Sequence, residues 1–224
     1  MNSSVAWGTV ADWFVVLGTL ILAAVALFQD TIRGWFYRPK FRVSCKCEPP
    51  DCIAIPITSQ FVTDSIFLRI LVENIGNATA QTAEVYAKEL RLLRLDGNWE
   101  IVSSFPHMNL KWANLGQMYT RIVPGMAKHC DVGHIIDPSK RQDFNENAPQ
   151  LRLTSAITSL AFELIVRPNN MSHIVGPGDY ELDIQVAAEN VRPITRTLQI
   201  SLKGTWDADE ETMLRNGVGI TVKR

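Results

Sequence analysis

The sequence predicts a mainly β protein in which an N-terminal transmembrane helix precedes an antiparallel β-sandwich closed by a short C-terminal helix. Two observations carry this expectation. Residues 13–28 are 16 consecutive uncharged side chains, and a bilayer core of roughly 30 Å needs about 20 residues at 1.5 Å each. Beyond Pro39 the hydrophobicity breaks into short alternating or β-branched runs separated by Gly, Pro, Asn and Asp, the pattern of strands joined by turns. The expected organisation is an anchor with its aromatic and basic flank, 1–38, and a folded domain, 39–224.

Extending the apolar run back to Val5 across the lone Asp12 gives 24 helix-compatible residues, so the segment spans if Asp12 lies at one interface. Trp7 and Trp13 at one end, and Trp35, Phe36 and Tyr37 at the other, stand where amphipathic rings settle at a membrane boundary. A cleaved export signal is disfavoured because no Lys or Arg precedes Arg33, and "AVA" at 24–26 is the only segment resembling a cleavage site. A buried core helix is the remaining alternative, but a helix apolar on all faces and bracketed by aromatics suits lipid better. Within it Asp12, Gly18, Thr19 and Ala23 are candidates for helix association. The small residues allow close approach, and Asp12 could bond its copy or Thr9 of a neighbouring helix. No GxxxG is present.

Orientation follows from charge. Arg33, Arg38, Lys40, Arg42 and Lys46 all follow the apolar run, and Lys and Arg are retained on the cytoplasmic side during insertion. The expected protein is a single-pass inner-membrane protein with its N-terminus outside and its domain, cysteines reduced, in the cytosol. The triplets "NAT" and "NMS" are then out of reach of glycosylation. The basic cluster also suits anionic lipid headgroups, at about 1 kcal/mol per residue near the surface.

In the domain, "FRVSCKC" (41–47) reads as a strand and "EPPDC" as a turn. "SIFLRILVEN" (65–74) alternates, placing Ile66, Leu68, Ile70 and Val72 on one face. Residues 83–95 read as a long strand running into Asp96-Gly97, which supplies the positive φ of a hairpin turn. Residues 105–117, with His107 and Trp112, read as irregular. "YTRIV" (119–123) and "KHCDVGHII" (128–136) are strands, and 137–150 is the most polar stretch and the expected mobile loop. Strands at 159–168, 178–190 and 194–204 follow, the last two joined by a "VRP" turn. That makes about eight or nine strands without long intervening helices, hence antiparallel packing. "DADEETMLRN" (207–216), with acids first and Arg215 last, has the charge polarity of a helix.

Two stretches, "LRILVENIGNATAQTAEVYA" and "GPGDYELDIQV", pair strand, turn and strand in a way that resembles the immunoglobulin-like β-sandwiches of bacterial surface and membrane-tethered proteins. The "ADWF" anchor leading directly into such a domain is similar to bacterial single-pass proteins. The resemblance implies an immunoglobulin-like fold and supplies no activity.

Chemistry is sparse. The first 46 residues hold five of the 22 basic and two of the 23 acidic side chains, leaving 17 against 21 in the remainder; that acidic balance argues against nucleic acid as a partner. The hydrolase, nucleotide-binding and zincin motifs are absent. "HCDVGH" places His129, Cys130, Asp131 and His134 together, and with Cys45, Cys47 and Cys52 these are the candidate zinc ligands. Strand alternation puts Cys130 and His134 on one face and excludes His129 from it, so no tetrahedral site is expected. Cys130 with His134 could form a nucleophile and base, but nothing visible stabilises a thiolate. The acids of 207–211 lack the spacing of a calcium loop. No catalytic residue, metal or cofactor is therefore expected. The leading expectation is a membrane-anchored binding or scaffold module whose partner is another protein, a second copy or a small effector. The alternatives are an oligomeric membrane effector of stress or phage defence, and a Cys/His-dependent hydrolase or metal enzyme.

Overall fold

The computed structural model describes residues 9–113, 116–189 and 191–223, without the side chains of 30–36. The chain divides into two compact units between Arg38 and Pro39. The first contains helix α1, Val10–Phe36. Thr9 stands at its N-cap: the Asp12 carboxylate accepts from Thr9 N at 2.7 Å and from Thr9 Oγ1 at 2.8 Å. An acid three residues into a helix satisfies donors that would otherwise be orphaned there. Thr19 Oγ1 likewise donates to Val15 O at 2.8 Å, within the helix.

The second unit is two antiparallel sheets over one core. In the first sheet β1 (Phe41–Ser44) pairs with β5 (Ser65–Asn74), β5 with β11 (Ala127–Ile136), β11 with β12 (Leu160–Phe162) and β12 with β13 (Ile174–Val175). Two short strands join it: β2 (Cys52–Ala54) pairs with β5, and β9 (Lys111–Trp112) with β11. The second sheet runs β10 (Thr120–Ile122), β6 (Ala80–Leu93), β14 (Gly178–Ala188), β15 (Val191–Leu202), β16 (Val218–Val222), with β7 (Trp99–Ile101) and β8 (Met108–Asn109) also on β6. A hairpin of β3 (Ile57–Thr58) and β4 (Val62–Thr63) stands apart. One contiguous core draws on both sheets: Ile66, Leu68, Ile70 and Val72 of β5 meet Val85, Leu182, Ile184 and Leu198 of β6, β14 and β15, all buried. Shared burial of two inner faces is what makes a sandwich.

Residues 65–74 and the long strand lie where alternation places them, and the 94–98 turn closes with Gly97 at φ 82°. Several expectations change. Among the described residues sixteen strands replace eight or nine, because short pairings lie within and between the stretches read from the pattern. "VRP" is not a turn but the start of β15, and Pro193 is tolerated because β16 pairs only with residues 198–202. Residues 159–168 are strand only over β12. Residues 137–150 are not a free loop: they include a short 3-10 turn, and Arg141, Glu146 and Ala148 are buried. The C-terminal helix is short, Glu210–Thr212 (α2) followed by a π turn, Met213–Gly217, and is capped by Asp209, whose carboxylate accepts from Thr212 N at 2.9 Å.

Asn74 ties one end of the sandwich together. Fully buried, it accepts from Lys40 N (3.2 Å) and Gly76 N (3.1 Å) and donates to Ala78 O (2.8 Å) and Ile122 O (3.0 Å). Asn74→Ala leaves these buried groups unmatched and is expected to cost about 2 kcal/mol, read as a lowered denaturant midpoint at unchanged m-value.

Candidate functional site

Sequence reasoning singled out two regions, the anchor and the "HCDVGH" strand. Of the anchor residues, Trp7 lies outside the described residues, as do the side chains of Arg33, Trp35 and Phe36. Val10–Gln29 is long and apolar enough to cross a membrane, and none of it is buried by protein. Trp13 and Tyr37 are exposed. Gly18 has open space around its Cα, and Ala23 is exposed. The hydrogen-bonding groups of Asp12 and Thr19, in contrast, are engaged within α1. Arg38, the last residue of the first unit, is exposed; in the sandwich Lys40 is exposed, and Arg42 pairs with Glu73 at 3.4 Å.

On β11, simple alternation fails. Asp131 opposes Arg69, yet Gly133 opposes Leu68, so Val132 is an inserted residue. A bulge of this kind inverts the parity of everything after it. Cys130, opposite Ile70, therefore enters the core, while His134, opposite Phe67, faces outward with its ring 5.3 Å from that of Phe67. The expected pairing of Cys130 with His134 is overturned. Gly133 permits the arrangement, since a Cβ there would meet Ala161 O at 2.7 Å.

The other histidine of the motif, His129, meets Asp51 at 2.9 Å. The remaining cysteines gather on the segment that follows β1, Cys45 and Cys47, and at the start of β2, Cys52. Cys45 Sγ donates to Arg69 O at 3.1 Å, and Cys47 Sγ to Val218 O at 3.5 Å. Hydrogen bonding to Cys52, then burial, pushes the Cys47 thiol up; hydrogen bonding to Cys45 does the same to Cys52, and burial does so to Cys130. Thiols held protonated are poor nucleophiles and poor metal ligands. Among the described residues no group of three or more His, Cys, Asp or Glu side chains could hold a metal ion. The acids of 207–211 serve the helix start: Asp209 caps it, Glu210 accepts from Ala54 N at 2.7 Å, and Glu211 pairs with Arg215.

What the sequence did not reveal is a charged network on the outer face of the first sheet. His134, 1% exposed, sits between two carboxylates, Nε2 2.7 Å from Glu146 Oε1 and Nδ1 2.7 Å from Glu163 Oε1. Glu163 also takes Lys111 Nζ at 2.6 Å and Arg167 Nη2 at 3.0 Å. Alongside, Arg69 pairs with Asp131 at 2.8 Å. Burial alone would lower the His134 pKa, but the two carboxylates outweigh it and push it up to about 9. Burial raises the Glu163 carboxyl, and the surrounding cations, His134 foremost, bring it well below the usual range. His134 is thus a fixed imidazolium clamping residues 137–150, through Glu146, onto the sheet. It is the electrostatic pattern of a structural tie rather than of a base poised near neutrality. The available signal was Glu163 itself, a lone acid inside "SLAFELIV". A cleft of about 350 Å³ opens near Leu92, Val102, Ile174 and Tyr180, with no charged residue in its lining. Comparison with protein-family models, with curated proteins and with solved structures finds no match.

Proposed function

We propose that this protein is a single-pass inner-membrane protein of bacterial type, whose immunoglobulin-like sandwich acts at the cytosolic surface as a non-enzymatic binding or scaffold module. The observation that carries this reading is α1: a 20-residue apolar segment, Val10–Gln29, that no protein covers. Lipid is the solvent in which such a helix is stable. The basic residues on its C-terminal side favour retention of the domain in the cytosol. The non-enzymatic part is supported by the engagement of the reactive groups: the thiols of Cys47, Cys52 and Cys130 held protonated, and His134 locked between carboxylates. The uncharged cleft offers apolar lining to a small effector. Association through α1 is less favoured, because Asp12 and Thr19 spend their hydrogen bonds within their own helix.

Fusing alkaline phosphatase or a fluorescent protein to residue 224 tests the topology. A fluorescent, phosphatase-inactive pair is expected. The opposite pattern would place the domain outside and reopen disulfide formation among the cysteines.

A further inference from the structure

The sandwich has one basic end with a small apolar tip, and it is the end at which the chain arrives from α1. At Lys40 the backbone enters a knot made by Asn74: Lys40 N donates to Asn74 Oδ1 (3.2 Å), Ile75 N to Lys40 O (2.8 Å), Gly125 N to Asn74 O (2.8 Å) and Asn74 N to Met126 O (3.0 Å). The turn between β10 and β11, Val123-Pro124-Gly125-Met126, is therefore fixed beside the entry point. Val123 is 37% and Met126 56% exposed, apolar side chains held outward at the tip of a rigid turn. Exposed Arg121 precedes this turn, and exposed Arg192 stands at the start of β15, at the same end. Two acids stand there against Lys40, Arg42, Arg121 and Arg192: Glu73, paired with Arg42 at 3.4 Å, and Glu189, which accepts from Thr82 Oγ1 at 3.0 Å. At the opposite end, the segments that follow β6, β11 and β15 mix both signs, Asp96, Asp137, Asp143, Glu146, Asp207 and Asp209 against Arg94, Lys140, Arg141, Arg152 and Lys203. The excess of basic residues thus lies at the end where the chain enters.

Chain length limits where the basic end can go. Lys40 follows the last residue of α1 by four positions, at most about 14 Å of extended chain. On the reading that α1 spans the membrane, we infer that the 123–126 turn, flanked by Lys40, Arg121 and Arg192, is a second membrane contact that docks the sandwich on anionic lipid headgroups. The charge complements an anionic surface. Val123 and Met126 supply the apolar contact that lipid accepts and water does not. The consequence is a sandwich held on the membrane by the end where its chain enters, with the segment clamped by His134 presented to the cytosol.

Hydrogen exchange of the full chain, reconstituted in discs of phosphatidylcholine alone or of phosphatidylcholine with phosphatidylglycerol, tests this. Peptides covering 121–127 should exchange about tenfold more slowly in the anionic discs. That protection should be lost in Met126→Asp, and in Arg121→Glu combined with Arg192→Glu, all exposed positions whose replacement leaves the core intact. Equal exchange in both discs overturns the inference. Equal protection in lipid-free detergent overturns it too, since the turn would then be covered by a second copy. Carbonate extraction of reconstituted vesicles separates the two levels of argument: protein that is released refutes the span, and with it this inference, whereas retained protein with unchanged exchange refutes the docking alone.

Discussion

Glu163→Gln is expected to lower the unfolding midpoint of the sandwich by roughly 10 °C, a loss of about 3 kcal/mol. The substitution keeps shape and removes the charge that faces His134 Nδ1 at 2.7 Å, Lys111 Nζ at 2.6 Å and Arg167 Nη2 at 3.0 Å. Lys111 and Arg167 are partly exposed and can turn to water; His134, buried, cannot. The pH dependence of wild-type stability provides the independent check. The His134 pKa stands at about 9 in the fold against an ordinary 6.5, so its contribution is complete below pH 6.5 and is lost as pH rises through 9. Glu163 is depressed, so its contribution is present above its ordinary 4.5 and is lost on acidification. Stability should be flat between those limits and fall on either side. In Glu163→Gln the alkaline slope should shrink, because one of the two carboxylates that raise His134 is gone. A variant with wild-type midpoint and an unchanged slope would show that the network contributes nothing to stability.

Trp112→Ala is expected to cost about 4 kcal/mol. Trp112 is 1% exposed and belongs to β9, paired to Cys130 in the first sheet, while its Nε1 donates to Ala83 O in the second at 3.0 Å. Truncation opens a cavity between the sheets and strands a buried carbonyl. Trp112→Phe separates the two contributions: it keeps most of the volume and should lose about 1 kcal/mol for the bond. Chemical denaturation of both variants, at equal m-value, measures the difference. If Trp112→Ala unfolds at the wild-type midpoint, the indole does not join the sheets.

The sequence by itself determined what depends on short-range periodicity. The apolar helix, the inward face of residues 65–74, the turn at Gly97 and the capped acidic start of the last helix each arise from residues near one another in the chain, so local patterns specify them. Phe41 and Val43, with Arg42 and Ser44 outward, follow the same rule. What only the tertiary structure decided rests on long-range pairing. The inserted Val132 shifts register against β5, some sixty positions away in the chain, and so sends His134 away from Cys130. Pairing with β15 makes the terminal residues 218–222 a strand although nothing was read there. Residues 137–150 look mobile by composition, yet Glu146 finds a buried imidazolium that alternation had placed on the other face. Polar composition marks a loop only when its charges have water as their best partner; here the partner is His134, and no local pattern announces it.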